Sequence, residues 1–227
     1  MKNILFLINT ILLSLKRNRK LRNIDGPIKV NLGCGLTVTK GWINIDGSLN
    51  SLVSRLPEAF IRLIYRYTGA NQSFDVGEYV NIVSNNDFIH HDLRDGLPFG
   101  SNTLSHVYSS HFIEHLNRDE ATNLLGDAYD ALVSGGKIRI SVPDLEYAIS
   151  LYPDNKKDMM EKYFFINDKA NTFSNHKYMY DFDSMSTMLS RIGFRDIVRG
   201  DFAEGDFPNV DLLDNRCKDS LFVEAIK

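Results

Sequence analysis

"IKVNLGCG", residues 28–35, is the stretch on which the fold turns. A short apolar run ending in glycine is the pattern of a buried parallel strand that delivers the chain into a tight turn. Gly33 and Gly35 allow the backbone to approach a ligand where a Cβ would clash. A second run of the same kind, "GWINID" (41–46), ends on Asp46, and a carboxylate at a strand end can accept hydrogen bonds from two ribose hydroxyls. A dinucleotide fingerprint would place a third glycine at position 38 and an acid about 20 residues on. Position 38 is Val, and Asp46 follows Gly35 by only 11 residues. No G-K-[ST] run is present either, so the loop favours a nucleoside ligand without a pyrophosphate.

Working outward, strand and helix patterns alternate. "FIHHDL" (88–93), "TLSHVYSS" (103–110), "KIRISVP" (137–143), "GFRDIVRG" (193–200) and "SLFVEAI" (220–226) read as further strands. Residues 118–132 form an amphipathic helix that "SGG" ends, and about 144–192 is helical and rich in aromatics. Residues 49–85 read as a helical insertion broken at Pro57. Alternation of this kind predicts an α/β fold with a mostly parallel sheet.

Hydrophobic content of 43% with 24% charge describes an ordinary globular chain, not a disordered one. A net charge of −3 supplies no basic field, so nucleic acid is not an expected partner. Only Cys34 and Cys217 occur, which fits a reducing compartment. The apolar run 4–15 is too short to span a bilayer as a helix and runs into Lys16, Arg17, Arg19, Lys20 and Arg22. Such a helix either lies on an anionic membrane surface or packs its apolar face on the domain.

"SSHFIEHL" (109–116) carries His111, Glu114 and His115 in the order H-x-x-E-H, the inverted zinc-protease pattern. With no cysteine cluster, a zinc site must be built from His, Asp and Glu, and it needs a third protein ligand. Asp144 and Glu146 are the downstream acids in reach of that role.

The ordered set "VNLGCG", "GWINIDGS", "HHDLRDGLPF", "SSHFIEHL" and "LVSGGKIRISVPDLE" resembles class I S-adenosylmethionine-dependent methyltransferases. Within them it is closest to a bacterial group found with polysaccharide-biosynthesis genes. The resemblance covers about residues 28–226. It implies a Rossmann-like seven-stranded sheet of order 3-2-1-4-5-7-6 with the last strand antiparallel and helices on both faces. The domain would span 28–227, with insertions at about 49–85 and, on the acceptor side, about 144–190, after an apolar-basic segment 1–27.

Site roles implied by the resemblance are these. Asn31, Leu32, Gly33, Cys34 and Gly35 wrap the methionine part of S-adenosylmethionine (SAM), and Asp46 binds its ribose. Asp92 meets the adenine amino group, with Leu93 against the ring, while Ser109 and Ser110 line the cofactor and the acceptor mouth. His111 or His176 is the general base, with Asp144 orienting it or the acceptor. Glu114 and His115 brace the helix that begins after the fourth strand or the cofactor loop, and no metal ligands are assigned. The implied reaction is O-methylation of a sugar, nucleotide sugar or lipid-linked glycan in the cytoplasm, with residues 4–22 touching the inner membrane face. A non-catalytic partner of a glycan-biosynthesis enzyme and, behind it, a zinc hydrolase are the competing readings.

Overall fold

The computed structural model describes residues 2–17, 21, 26–164 and 175–227. Seven strands form one sheet: β1 Ile28–Leu32, β2 Ile43–Asp46, β3 Asp87–His90, β4 Leu104–Ser110, β5 Leu132–Pro143, β6 Arg195–Gly200 and β7 Ser220–Ile226. Their spatial order is β3-β2-β1-β4-β5-β7-β6, as expected. Every neighbouring pair is parallel except those made by β7, which runs antiparallel to β5 and β6. β1 lies mid-sheet, with Val30 opposite Ile43 on one side and Val107 on the other. That position explains its apolar run: Val30 and Leu32 are wholly buried.

Nine helices occur among the described residues: α1 Lys2–Lys16, α2 Leu49–Val53, α3 Glu58–Thr68, α4 Val76–Ser84, α5 Arg118–Ala131, α6 Leu145–Ser150, α7 Tyr152–Met159, α8 Phe182–Ile192 and α9 Val210–Leu213. α5 begins at Asn117, whose side chain accepts the Glu120 N–H while Glu120 reaches back to the Asn117 N–H. Asp181 and Ser184 start α8 in the same way. Leu124, Leu125 and Ala128 of α5 and Met185 and Leu189 of α8 pack with the strands into the main core. Each large aliphatic side chain buried there contributes about 1.5–3 kcal/mol. Trp42, Tyr108, Phe207, Val210 and Leu213 form a separate buried cluster.

The helical insertion after β2 becomes α2, α3 and α4, with Pro57 at the N-cap of α3 and a small core of its own around Ile61, Tyr79 and Val83. Two boundaries differ from the sequence expectation. α5 ends at Ala131, and Ser134-Gly135-Gly136 belong to the irregular start of β5, where the β4–β5 register shifts. The stretch after β5 divides into α6, α7, a π-turn at Met160–Phe164 and α8, and residues 165–174 of the expected acceptor-side insertion lie outside the described residues.

α1 docks through one face and exposes the other. Asn9 is buried and donates to the Gly47 carbonyl at 2.9 Å, and Arg17 pairs with Asp95 at 2.7 Å. Ile4, Leu7, Ile8, Ile11 and Leu15 face outward. The reading of this segment as a helix packed on the domain therefore holds for its inner face. Arg19, Lys20 and Arg22 lie outside the described residues. No helix among the described residues is long and apolar enough to cross a membrane.

Candidate active site

In open α/β sheets ligands bind beyond the carboxyl ends of the strands. At that edge β1 delivers Gly33 and Gly35, both with positive φ (64° and 53°). The Gly33 N–H donates to the Ile45 carbonyl at 2.9 Å, and the Gly35 N–H donates to Asp46 Oδ2 at 3.0 Å. Asp46 Oδ1 accepts the Ser48 N–H at 2.6 Å. Asn31 donates to the Thr37 carbonyl and to Asn44 Oδ1, fixing the far side of the loop. A Cβ on Gly35 would meet no atom within 4 Å, so this glycine borders open space. Residues 33–42 cross from β1 to β2 without a helix. No helix N-terminus is therefore presented to a phosphate, in keeping with the sequence reading.

Cys34 is buried, and burial, reinforced by Asp46, pushes its thiol well up, so it is an inert packing group. Asp92 caps the turn Leu93–Asp95 and forms a two-point pair with Arg94. Burial pushes its carboxyl up, but the bonds from Arg94 outweigh this and hold it below the usual range. Leu93 is buried in the main core and offers little surface to a ligand. Ser109 is fully buried and donates to the Leu32 carbonyl at 3.3 Å, and Ser110 donates to Asn215 at 3.3 Å.

After β4 the backbone turns at His111, in the left-handed region at φ 49°, where its N–H donates to the Ser141 carbonyl at 2.9 Å. Such a conformation is uncommon for a residue with a Cβ. A 3₁₀ turn at Ile113–His115 then points Glu114 inward, with none of its side chain reaching solvent. Glu114 Oε1 lies 3.4 Å from His111 Nδ1, 3.8 Å from His115 Nε2 and 4.0 Å from His176 Nε2. Neither carboxylate oxygen has a hydrogen-bond partner among the described residues. His176 is held opposite because the N–H groups of Lys177 and Tyr178 donate to the Glu114 carbonyl. Burial keeps the His176 imidazole below its ordinary value, with Glu114 pulling the other way.

The neighbours define the tautomers. Ser220 Oγ donates to the Arg216 carbonyl at 2.7 Å, so it accepts from His111 Nε2 at 2.9 Å, and Nδ1 keeps its lone pair. Arg216 Nη1, 3.5 Å from that Nδ1, fits the same assignment. His115 Nδ1 donates to the Asn175 carbonyl and His176 Nδ1 to the Tyr163 carbonyl, which leaves both Nε2 atoms as acceptors facing Glu114.

Asp144 stands apart from this group. Its carboxylate accepts the Glu146 N–H and pairs with Arg199 at 2.7 Å, and Glu146 pairs with the same guanidinium. The third group beside Glu114 and His115 is thus His176, not either of the downstream acids. Ser220, Arg216 and Asn215 also shape the edge, and no local signal in the sequence marks them. A cavity of about 600 Å³ opens at the opposite, amino-terminal edge of the sheet, past Lys29, Trp42 and His106, and contains none of these residues.

No protein-family model matches the chain, and no curated protein does. Solved structures do. A SAM-dependent methyltransferase from Thermotoga maritima is 12% identical with a TM-score of 0.51, over 99% of this chain and 93% of that one. A possible exported protein from Bordetella parapertussis is 15% identical with a TM-score of 0.50, over 94% of this chain but 64% of its own length. A SAM-dependent methyltransferase from Archaeoglobus fulgidus is 17% identical with a TM-score of 0.48, over 98% of this chain and 94% of that one. Together with the strand order, the likeness to the Thermotoga chain establishes the Rossmann-like methyltransferase fold. Identities this low establish shared architecture and not shared chemistry.

Proposed function

We propose that this protein is a SAM-dependent O-methyltransferase. The observation that carries the reading is Asp46 anchored to Gly35. The two carboxylate oxygens take one backbone N–H each, leaving lone pairs for two ribose hydroxyls, while Gly35 keeps the space beside them free of side chain. Asn31, Leu32, Gly33 and Cys34 complete the loop around the methionine portion. Asp92 is assigned to the adenine end and Ser110 to the wall between cofactor and acceptor, with the buried Leu93 and Ser109 backing them from the core. The fit is that of a nucleoside whose tail carries no phosphate, because the loop offers neither a P-loop lysine nor a helix N-terminus.

The bound cofactor supplies a methyl group on a sulfonium, already electrophilic, so the protein's tasks are alignment, water exclusion and removal of a proton. His111 takes that last task. Its Nδ1 lone pair would take the acceptor's hydroxyl proton, while the cofactor would supply the electrophilic methyl group. Glu114, 3.4 Å from Nδ1, stabilises the imidazolium that results. Ser220 holds the ring from its other nitrogen.

A hydroxyl on a sugar, nucleotide sugar or lipid-linked glycan is the acceptor we assign, on the resemblance to the glycan-associated group. The exposed apolar row of α1 supports an acceptor met at the inner face of a membrane. Calorimetric titration with SAM tests the whole reading: binding to the unaltered protein and its loss in Asp46→Ala are expected. No binding to the unaltered protein at ten times typical cellular concentrations would overturn it.

A further inference from the structure

We infer that Glu114, His115 and His176 form a binding site for one transition-metal dication of the Zn²⁺ class. The ligand atoms of these three residues all lie within 4.8 Å of one another. Two ligands on one zinc ion stand about 3.3 Å apart at the tetrahedral angle, given bond lengths of about 2.0–2.2 Å. A contraction of the cluster by up to about 1.5 Å, within reach of side-chain rotation, brings it to that geometry.

Two features point to a cation and not to a self-contained polar cluster. A fully buried carboxylate whose two oxygens both lack a hydrogen-bond donor among the described residues is costly unless something positive meets it. The distances from Oε1 to His115 and His176, 3.8 Å and 4.0 Å, are too long for hydrogen bonds. Both imidazoles use Nδ1 on a backbone carbonyl and so turn Nε2, the lone-pair nitrogen of the neutral ring, toward the carboxylate. Lone pairs from two rings and a carboxylate converging on one volume repel each other without a cation. An Nδ1–H bond to a backbone carbonyl is the contact by which proteins orient metal-binding histidines.

The donor set, two imidazoles and one carboxylate, suits zinc and its transition-metal neighbours better than magnesium or calcium, which prefer oxygen. It is also the set of catalytic zinc sites that keep a fourth position open. His111 Nδ1, 3.4 Å from the same carboxylate oxygen, borders that position. Phe112, between His111 and the 3₁₀ turn, packs on Gly33 of the cofactor loop, so the site adjoins the proposed methyl donor. An acceptor oxygen held by the cation would lose its proton to His111 more readily. That role rests on the methyltransferase reading, whereas the binding of the cation does not.

Co²⁺ is the probe, added to the full-length chain after chelation, with binding followed by its visible absorption and by elemental analysis of the dialysed protein. One Co²⁺ per chain, displaced by Zn²⁺, is expected. Affinity should fall roughly 100-fold or more in His176→Ala and in His115→Ala. Because Glu114→Gln removes a buried charge and could alter folding, the two histidine variants carry the test, each checked by thermal melting. Absence of stoichiometric Co²⁺, or affinity unchanged in both folded variants, would overturn the site. SAM binding measured on the same samples separates the two readings: SAM without Co²⁺ removes only the metal site, and Co²⁺ without SAM removes only the methyltransferase.

Discussion

Gly33 and Phe112 contend for one volume: a Cβ built on Gly33 would fall among the Cβ and ring atoms of Phe112. The loop after β1 and the turn after β4 are thereby locked together, at the edge where cofactor and acceptor are expected to meet. Gly33 also has φ 64°, which disfavours any side chain. Gly33→Ala should cost about 2–4 kcal/mol, from strain and overpacking together. Phe112→Ala in the same chain should recover the overpacking part, giving a coupling of about 1 kcal/mol or more in a double-mutant cycle by urea unfolding. Strictly additive losses would show that the two residues do not share the space.

His111 separates chemistry from binding. His111→Ala should lower methyl-transfer turnover by ~10²–10⁴-fold while the SAM dissociation constant stays within about threefold. Formation of S-adenosylhomocysteine under single-turnover conditions reads this directly. Unchanged turnover would remove His111 from proton transfer and leave it as a wall of the site.

The outward face of α1 makes a prediction about surfaces. Ile4, Leu7, Ile8, Ile11 and Leu15 contact little of the domain, so replacing Leu7 and Ile11 by Ser should leave the melting temperature nearly unchanged. Co-sedimentation with vesicles containing anionic lipid should fall sharply in that variant and with added salt. Equal sedimentation of both proteins would assign the face some other use.

His90 should give the fold an acid-sensitive joint. Burial, aided by the adjacent Lys16, lowers its imidazole to about 4, with His91 adding to this and the Gly47 backbone and Asp92 opposing it. Lys16 donates to Nδ1 and Nε2 donates to Asn9 Oδ1, each at 2.9 Å, so the native contacts need the neutral ring. Its unfolded value is about 6.5, so this contribution is complete above that pH and is lost as the pH falls toward 4. The loss should reach about 2–3 kcal/mol. His90→Gln should flatten the fall in urea stability between those limits. His106 and His176, also lowered, would supply a residual slope. Identical profiles would place the joint elsewhere.

Arg139 is a purely architectural test. It is fully buried in β5 and pairs with Asp214 at 2.5 Å, with Glu224 and with the Asp201 carbonyl. Arg139→Met leaves two acids near or in the interior without their cation and should cost about 3–5 kcal/mol. The urea midpoint should drop accordingly, and an unchanged midpoint would show that the two acids do not depend on the Arg139 guanidinium.

The pairing of the glycine loop with Asp46 was legible in the chain because its parts depend on local rules. A glycine pair after an apolar run and an acid closing the next run lie 11 residues apart, and their pairing needs only two adjacent parallel strands. Helix caps at Asn117 and Asp181 are equally local. Asp144 and Glu146 were not legible as partners of Arg199, because that ion pair joins β6 to the start of α6 across 55 residues of sequence. Likewise the "SGG" run looks like a helix stop, yet sheet pairing with β4 and the Gly135 N–H bond to the Lys227 carbonyl draw it into β5.

Sequence alone determined the α/β architecture, the strand periodicities and the place of the glycine loop, since each follows from side-chain pattern over a few residues. What converges on Glu114 was decided only by the tertiary structure. His111 and His115 are near it in the chain, but His176 arrives from 62 residues away, and Tyr163, Asn175 and Ser220 set which nitrogen of each ring is free. Burial that strips Glu114 of water, and tautomers set by distant carbonyls, are properties of packing, and no stretch of residues encodes them by itself.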